Sequence, residues 1–414
     1  MNSGDTAFLL VCTALVFFMT PGLGFFYGGL GRRKNVINNI MASGFIMGLG
    51  IVMWVLFGYS LAFSGNNYGI IGSLDNIALK GLGFKDIVPY APTIPALAFV
   101  AFQMMFALIT PAIITGAVSG RMKFKALFLF IAFWSVIVYY PLAHMVWGAG
   151  GLLGADGLKS VDFAGGNVVH ISSGVSGLVL CILLGKRNGY ENTSYRMHNV
   201  PFVALGMAML WFGWFGFNAG SALAANELAA HAFMTTAVAT ASGLLSWMAI
   251  DVIMKSKPTL ISTCTGVVVG LVAITPGAGF VPVWASLIIG ASAGPVCYFG
   301  IIFVKKKLKI DDALDAFGCH GIGGIWGGLM TGVFANPLIN EGATEGLIYG
   351  HSAQFLAQVA AITISIAVAA IGTIIAAGLV RAFSDLRVSK RDELVGLDIS
   401  QHGENAYPSF NGLD

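Results

Sequence analysis

Charge is what this sequence has least of. Only 10% of its 414 residues are Asp, Glu, Lys or Arg, against about a quarter in an ordinary soluble domain. So little polar surface excludes a water-soluble globule of this length. Paired cysteine chemistry is missing too. Cys12, Cys181, Cys264, Cys297 and Cys319 stand singly in apolar runs, with no CxxC pair or His-rich cluster. They read as small buried hydrophobes, not as a disulfide or metal framework. The formal charge is only +3, and the bases are scattered over short loops. That excludes the usual nucleic-acid footprint. No basic stretch precedes the first apolar run, so residues 6–30 read as a retained helix and not a cleaved signal peptide.

What fills the chain instead is apolar sequence, at 57%. It falls in repeated stretches of about 20 residues, long enough to cross a hydrocarbon core about 30 Å thick. Segments such as 361–379 show no polar face. The 55 Gly suit helices whose backbones approach closely in a membrane. The reading is an all-α membrane protein of eleven transmembrane helices, at 6–30, 36–64, 92–119, 126–148, 163–184, 199–219, 228–254, 259–275, 282–304, 317–335 and 347–380. The weakest is 259–275, short and set between Pro258 and Pro276.

Charge placement tests that count. Every second connection is basic: Arg32, Arg33 and Lys34; Arg121, Lys123 and Lys125; Lys186, Arg187 and Arg196; Lys255 and Lys257; Lys305, Lys306, Lys307 and Lys309. The tail adds Arg381, Arg387, Lys390 and Arg391, and only Lys80, Lys85 and Lys159 fall on the other side. Basic flanks mark the cytoplasmic side. The expected orientation is therefore N-terminus outside and C-terminus in the cytoplasm of a multi-pass cell-membrane protein. The transmembrane domain is expected over 1–380, and 381–414 as a cytoplasmic tail that docks on basic loops or offers a regulatory surface.

An ionisable residue inside such a span is costly, and so points to function. His170 follows Asp162 in Asp-Phe-Ala-Gly-Gly-Asn-Val-Val-His, and His320 lies in Asp315-Ala-Phe-Gly-Cys-His-Gly. The second lies five spans after the first, so the two helices run oppositely. That is the pattern of a five-plus-five inverted repeat with an additional C-terminal helix. Residues 21–30 and 211–221 echo one another in the same way. A pair of neutral imidazoles supplies a donor and an acceptor per ring in a narrow path. The bland alternative is that each His bonds a backbone carbonyl. Two His with no third ligand fall short of a zinc site.

Asp162 can cap the exposed N–H groups at its helix start, or lend negative potential to an outer mouth. Tyr139, Tyr140, Trp147, Trp211, Trp214, Phe215 and Phe217 cluster at helix ends as interfacial anchors or as walls for a small cation. Phe102 and Phe106 share one helical face, as core packing or as a layer that excludes water.

The segments 162–174, 213–221 and 317–328 resemble the signatures of the ammonium transporter family, the Amt/Mep branch of the ammonium transporter and Rhesus superfamily. Phe-Phe-Met-Thr-Pro-Gly at 17–22, Tyr-Gly-Gly-Leu at 27–30, Ala-His-Met-Val-Trp-Gly at 143–148 and Gly-Glu-Asn-Ala-Tyr at 403–407 are similar as well. The resemblance implies a homotrimer with one pore per subunit. It implies an outer ammonium site at Trp147 and Ser221, with Phe106 as a further wall and Asp162 supporting it. Phe106 and Phe217 resemble the pair that closes the pore, and His170 and His320 the twin histidines lining it, beside Trp214. Phe102 and Tyr139 match neighbouring positions. No cofactor or metal is implied. The implied partners are ammonium or ammonia, membrane lipid and a PII-type protein at the cytoplasmic face. Ammonium uptake with net charge movement is the implied function; a membrane ammonium sensor with slow or no flux is the alternative. No nucleophile–base–orienter set suggests an enzyme.

Overall fold

The computed structural model describes residues 1–190 and 196–407. Its helical segments are α1 Ser3–Leu30, α2 Arg33–Phe63, α3 Ala96–Val118, α4 Phe124–Trp147, α5 Gly166–Leu184, α6 Val200–Gly220, α7 Glu227–Lys255, α8 Leu260–Ile274, α9 Val283–Lys307, α10, which opens as Phe317–Gly321 and continues as Ile322–Phe334, and α11 Ala353–Arg381. Nine of these, among the described residues, are long and apolar enough to cross a bilayer by themselves. The shorter α8, and α10, complete the eleven. The architecture is an all-α membrane bundle.

Most expected boundaries fall within a few residues of the observed ones. The last does not. Residues 347–349 form a separate 3-10 turn that ends at Gly350, whose φ of +89° leaves the helical region. The helix proper begins at Ala353. The third starts at Ala96, not 92, because Pro95 occupies its N-cap in an extended conformation.

The five-plus-five repeat is carried by matched helix pairs. Helix α1 packs along α6, so closely that a Cβ on Gly206 would lie 2.4 Å from Phe26 N. Helices α5 and α10 cross in the same manner. A Cβ on Gly174 would meet Gly321 N at 2.3 Å, and one on Gly324 would meet His170 Cβ at 3.0 Å. Glycine at this crossing lets two histidine-bearing helices touch backbone to backbone. Helix α11 stands outside the repeat and packs on α5 and α10.

The tail folds back over the basic end of the bundle, forming α12 Lys390–Val395 and α13 Leu397–His402. Residues 408–414 of the expected tail lie outside the described residues. Its buried anchor is Glu393. That carboxylate accepts Asn188 N at 2.6 Å, Asn188 Nδ2 at 2.9 Å and Arg387 Nη2 at 2.8 Å. Leu397 N donates to Asn35 Oδ1, and Asn38 N donates to Asp398 Oδ1, both at 2.9 Å. Beneath them Asp311 binds Arg187 at 2.6 and 2.8 Å and Arg121 at 3.7 Å. Burial works to raise the Asp311 carboxyl, yet the Arg187 bonds and the two guanidinium charges hold it below the usual carboxylate range. The clasp therefore contributes fully above the ordinary carboxylate value of about 4. It is lost only as pH falls through the lowered folded value.

Breaking a buried charge pair costs about 3–5 kcal/mol, and the partial exposure of Arg387 brings this nearer about 2 kcal/mol. Glu393→Ala is therefore expected to release the tail. Trypsin should then cut between Arg381 and Arg391 at least about tenfold faster. Unchanged cleavage would count against this docking.

Candidate functional site

Two aspartates shape the site before any pore residue does. Asp162 Oδ1 accepts Gly165 N at 2.8 Å and Gly166 N at 2.6 Å, and Oδ2 accepts Asn167 N at 2.7 Å. Asp312 does the same for α10, taking Ala316 N at 3.1 Å, Phe317 N at 2.8 Å and Gly318 N at 3.3 Å. Each capped helix opens with a wide π turn, Gly166–Ile171 or Phe317–Gly321, and each π turn carries a histidine. Such turns widen the backbone where side chains must be aimed.

These turns bring the two histidines together. His170 Nδ1 and His320 Nδ1 are 3.2 Å apart, although the residues are 150 positions distant in sequence. A hydrogen bond there needs one ring to donate and the other to accept, so the neutral pair holds opposite tautomers. His170 Nε2 is buried without a hydrogen-bond partner among the described residues. The His170 ring lies nearly parallel to Trp214 at 5.4 Å and to Phe217 at 6.2 Å. Trp214 is fixed in turn by its Nε1–H donating to Thr275 Oγ1 at 2.9 Å.

Around the pair is a void of about 10 Å³, otherwise lined by residues such as Ile109, Ile113, Val169 and Leu210. A void of this size holds about one water-sized molecule. Phe217 lines it on one side, and its ring centroid lies 4.3 Å from that of Phe106, which borders the next cavity. Phe102 backs Phe106 edge-on at 5.0 Å.

Beyond those rings, away from the basic end, lies a cavity of about 290 Å³ walled by Phe106, Trp147, Ser221, Gln103 and Tyr90. The Trp147 Nε1–H donates to the Asp162 carbonyl at 2.9 Å, so the Asp162 backbone holds the indole that borders this cavity. Trp147 meets Phe106 edge-to-face at 5.9 Å. Ser221 Oγ donates to the Phe217 carbonyl at 2.9 Å, which leaves its lone pairs as acceptors. Toward the basic end a third cavity, of about 200 Å³, reaches Cys319, Lys305, Asp315 and Arg187.

A family model described as the Ammonium Transporter Family matches residues 7–407. The chain belongs to the ammonium transporter family. It is 48% identical to an ammonium transporter of Bacillus subtilis strain 168 over 407 residues, covering 98% of this chain and 99% of the relative. It is 44% identical to the ammonium transporter Amt1 of Archaeoglobus fulgidus, covering 98% and 100%. Among solved structures it is similar to Saccharomyces cerevisiae Mep2, with TM-score 0.87 and 36% identity over 94% of this chain and 88% of that one. It is also similar to a structure described as a sensor Amt protein, with TM-score 0.85 and 28% identity over 96% and 98%. It is thus a multi-pass membrane protein of a transporter family.

Trp147, Ser221, Phe106, Phe217, Trp214, His170 and His320 converge on one line of cavities. Phe102 stands behind Phe106. Tyr139 packs against Trp134 and Tyr140, at 6.4 and 5.9 Å, and lies outside the residues walling the outer cavity and the void. The Asp162 carboxylate is occupied by its cap.

Three residues escaped the sequence reading. The counterpart of Asp162 is Asp312, not Asp315. Asp315 instead sits at φ +60° and pairs with Lys305. The signal was present, because each capping Asp precedes its His by the same interval in sequence. Gln103 walls the outer cavity with its Oε1 buried and unbonded among the described residues. Thr275 anchors Trp214. Neither Gln103 nor Thr275 carries a spacing signal that would have marked it.

Proposed function

We propose that the protein takes up ammonium through a path within each subunit, with the basic end in the cytoplasm. The observation that carries this is the His170–His320 pair, 3.2 Å apart, in an apolar void sized for one small molecule. The ion is drawn to the outer cavity, where the Trp147 face attracts a cation and Ser221 Oγ accepts an N–H. Passage between Phe106 and Phe217 strips its water. Desolvation disfavours the charged form, so on entry the ion gives up its proton to water at the outer mouth. Neutral ammonia then crosses, donating to and accepting from the facing imidazoles. Potassium has no proton to lose and no N–H to donate, which gives the selectivity a physical basis. The proton follows separately, so net transport moves charge.

The assembly is a homotrimer with three separate pores. The tail and the basic loops together form a regulatory face for a PII-type protein, and lipid surrounds the apolar exterior. A second reading, an ammonium sensor with slow flux, draws on the similarity to the sensor Amt structure. The two differ in liposome flux, which the sensor would lack.

The outer site has its own test. A cation–π contact contributes about 1–2 kcal/mol in a desolvated setting, a factor of about 5–30 in affinity. Trp147→Leu is expected to raise the KM for methylammonium by that factor. Trp147→Phe, which keeps an aromatic face but not the N–H bond to Asp162, should fall between. Equal KM values in all three proteins would remove Trp147 from the site.

A further inference from the structure

One helical turn before Trp147, α4 carries a third buried histidine, which the transport path does not use. His144 is fully buried, and both its ring nitrogens face oxygen. Nδ1 lies 3.0 Å from the Ala62 carbonyl, and Nε2 lies 3.2 Å from Asn66 Oδ1. A carbonyl oxygen only accepts. Nor can Asn66 turn its amide to offer N–H instead. Its Oδ1 already accepts Gly69 N–H at 2.7 Å, and its Nδ2 donates to the Gly150 carbonyl at 3.3 Å. Reversed, the amide would set N–H against N–H at one contact and oxygen against oxygen at the other. A neutral imidazole donates from one nitrogen only. It satisfies one of the two contacts and leaves the other as opposed lone pairs. The imidazolium satisfies both.

We infer that His144 is a positioning residue for the outer cavity, a latch whose second hydrogen bond closes when the ring takes up a proton from the outer side. The inference rests on the proposed role of that cavity. What the latch holds is the rim. The Gly69 carbonyl accepts Leu152 N at 2.9 Å, Gly150 N donates to Asp156 Oδ2 at 2.9 Å, and Ala149 N donates to the Tyr90 hydroxyl at 2.9 Å. Tyr90 walls the cavity, and Ala149 follows Trp147 by two residues. Through Asn66, His144 ties the 64–72 loop to the segment after Trp147.

The same proton places a positive charge one turn from the indole that attracts ammonium, and like charges repel most where water is scarce. Capture therefore weakens in acid, while passage beyond the phenylalanine pair is untouched. KM rises and the maximal rate stays.

The other ionisable groups on the elements around His144, among the described residues, are Tyr59 on α2, Tyr68, Asp75, Lys80, Lys85, Asp86 and Tyr90 in the 64–95 loop, Asp156 and Lys159 after α4, and Asp162 and His170 at the start of α5. Tyr139 and Tyr140 lie on α4 itself. Carboxylates ordinarily titrate below the range from pH 7.5 to 5, and phenols and Lys above it. His170 is thus the one competing imidazole among these.

The test uses the full chain in proteoliposomes, with methylammonium uptake measured at external pH from 7.5 down to 5. The wild type should show KM rising about threefold or more, at constant maximal rate, through a single-proton inflection. His144→Gln should show a flat profile. A flat wild-type profile, or an inflection that survives in His144→Gln, overturns the inference. Should His144→Gln not fold, hydrogen exchange of the 66–72 amides in the wild type decides. After correction for intrinsic chemistry, it should slow about tenfold on acidification, and unchanged exchange overturns the latch. That exchange test does not depend on Trp147. If Trp147→Leu left KM unchanged while the loop still tightened in acid, the cavity reading would fail and the latch would stand.

Discussion

Replacing His170 and His320 together by leucine is expected to cut the ammonium-evoked current in proteoliposomes by at least about tenfold. The void between Phe217 and the basic-end cavity is otherwise lined by Ile109, Ile113, Leu210 and similar groups. Ammonia entering it gives up hydrogen bonds to water. With the imidazoles removed, nothing in that lining replaces them. Each hydrogen bond left unmade there costs about 1 kcal/mol or more, so losing two raises the barrier by about 2–3 kcal/mol. That corresponds to a slowing of about 30- to 150-fold. A single replacement behaves differently, because it strands the remaining Nδ1 opposite an apolar group. An unchanged current with unchanged selectivity in the double variant would sink the histidine lane. Potassium is measured in parallel, since a wider, wetter void could carry a different ion.

Asp162→Ala should damage the fold more than the affinity. Its carboxylate is buried and accepts three backbone N–H groups. An unsatisfied buried donor costs about 1–3 kcal/mol, and three together approach the net stability of an ordinary domain. The expected result is a large drop in the melting temperature of the purified protein, or loss of the monodisperse species. Asp162→Asn should be intermediate, since an amide oxygen accepts from two donors while its NH2 opposes the third. The same order is expected at Asp312, whose cap is built alike. If Asp162→Ala instead folds like the wild type and only raises KM, the carboxylate acts on the captured ion and not on the helix.

The bundle could be read from the sequence because apolar length and the placement of bases are local properties that the membrane enforces. So could the histidines, since an ionisable group in an apolar run stands out. What could not be read is which oppositely running helix turns would touch. That depends on Gly174 and Gly324 at the crossing and on two π turns, and neither feature leaves a periodic trace. Asp312 was missed because Asp315 offered a nearer, compositionally similar match to the Asp-Phe-Gly-His pattern. Backbone hydrogen bonding, not composition, picks out the cap. Thr275 acts through one side-chain bond to Trp214 and Gln103 through its place in the outer cavity wall, both visible only once the helices are packed. The break before Ala353 turned on the positive φ of Gly350, and the polar His351 and Ser352 that follow it were passed over because apolar residues 347–349 lie just before them.

Passage of ammonium along the histidine lane requires that purified wild-type protein move ammonium selectively. Solid-supported-membrane recording on proteoliposomes, with ammonium and potassium pulsed at equal concentration, tests this most directly. A saturable inward current is expected with ammonium, and none above empty liposomes with potassium. Equal currents for the two ions, or no flux of either charge or labelled methylammonium, would contradict it.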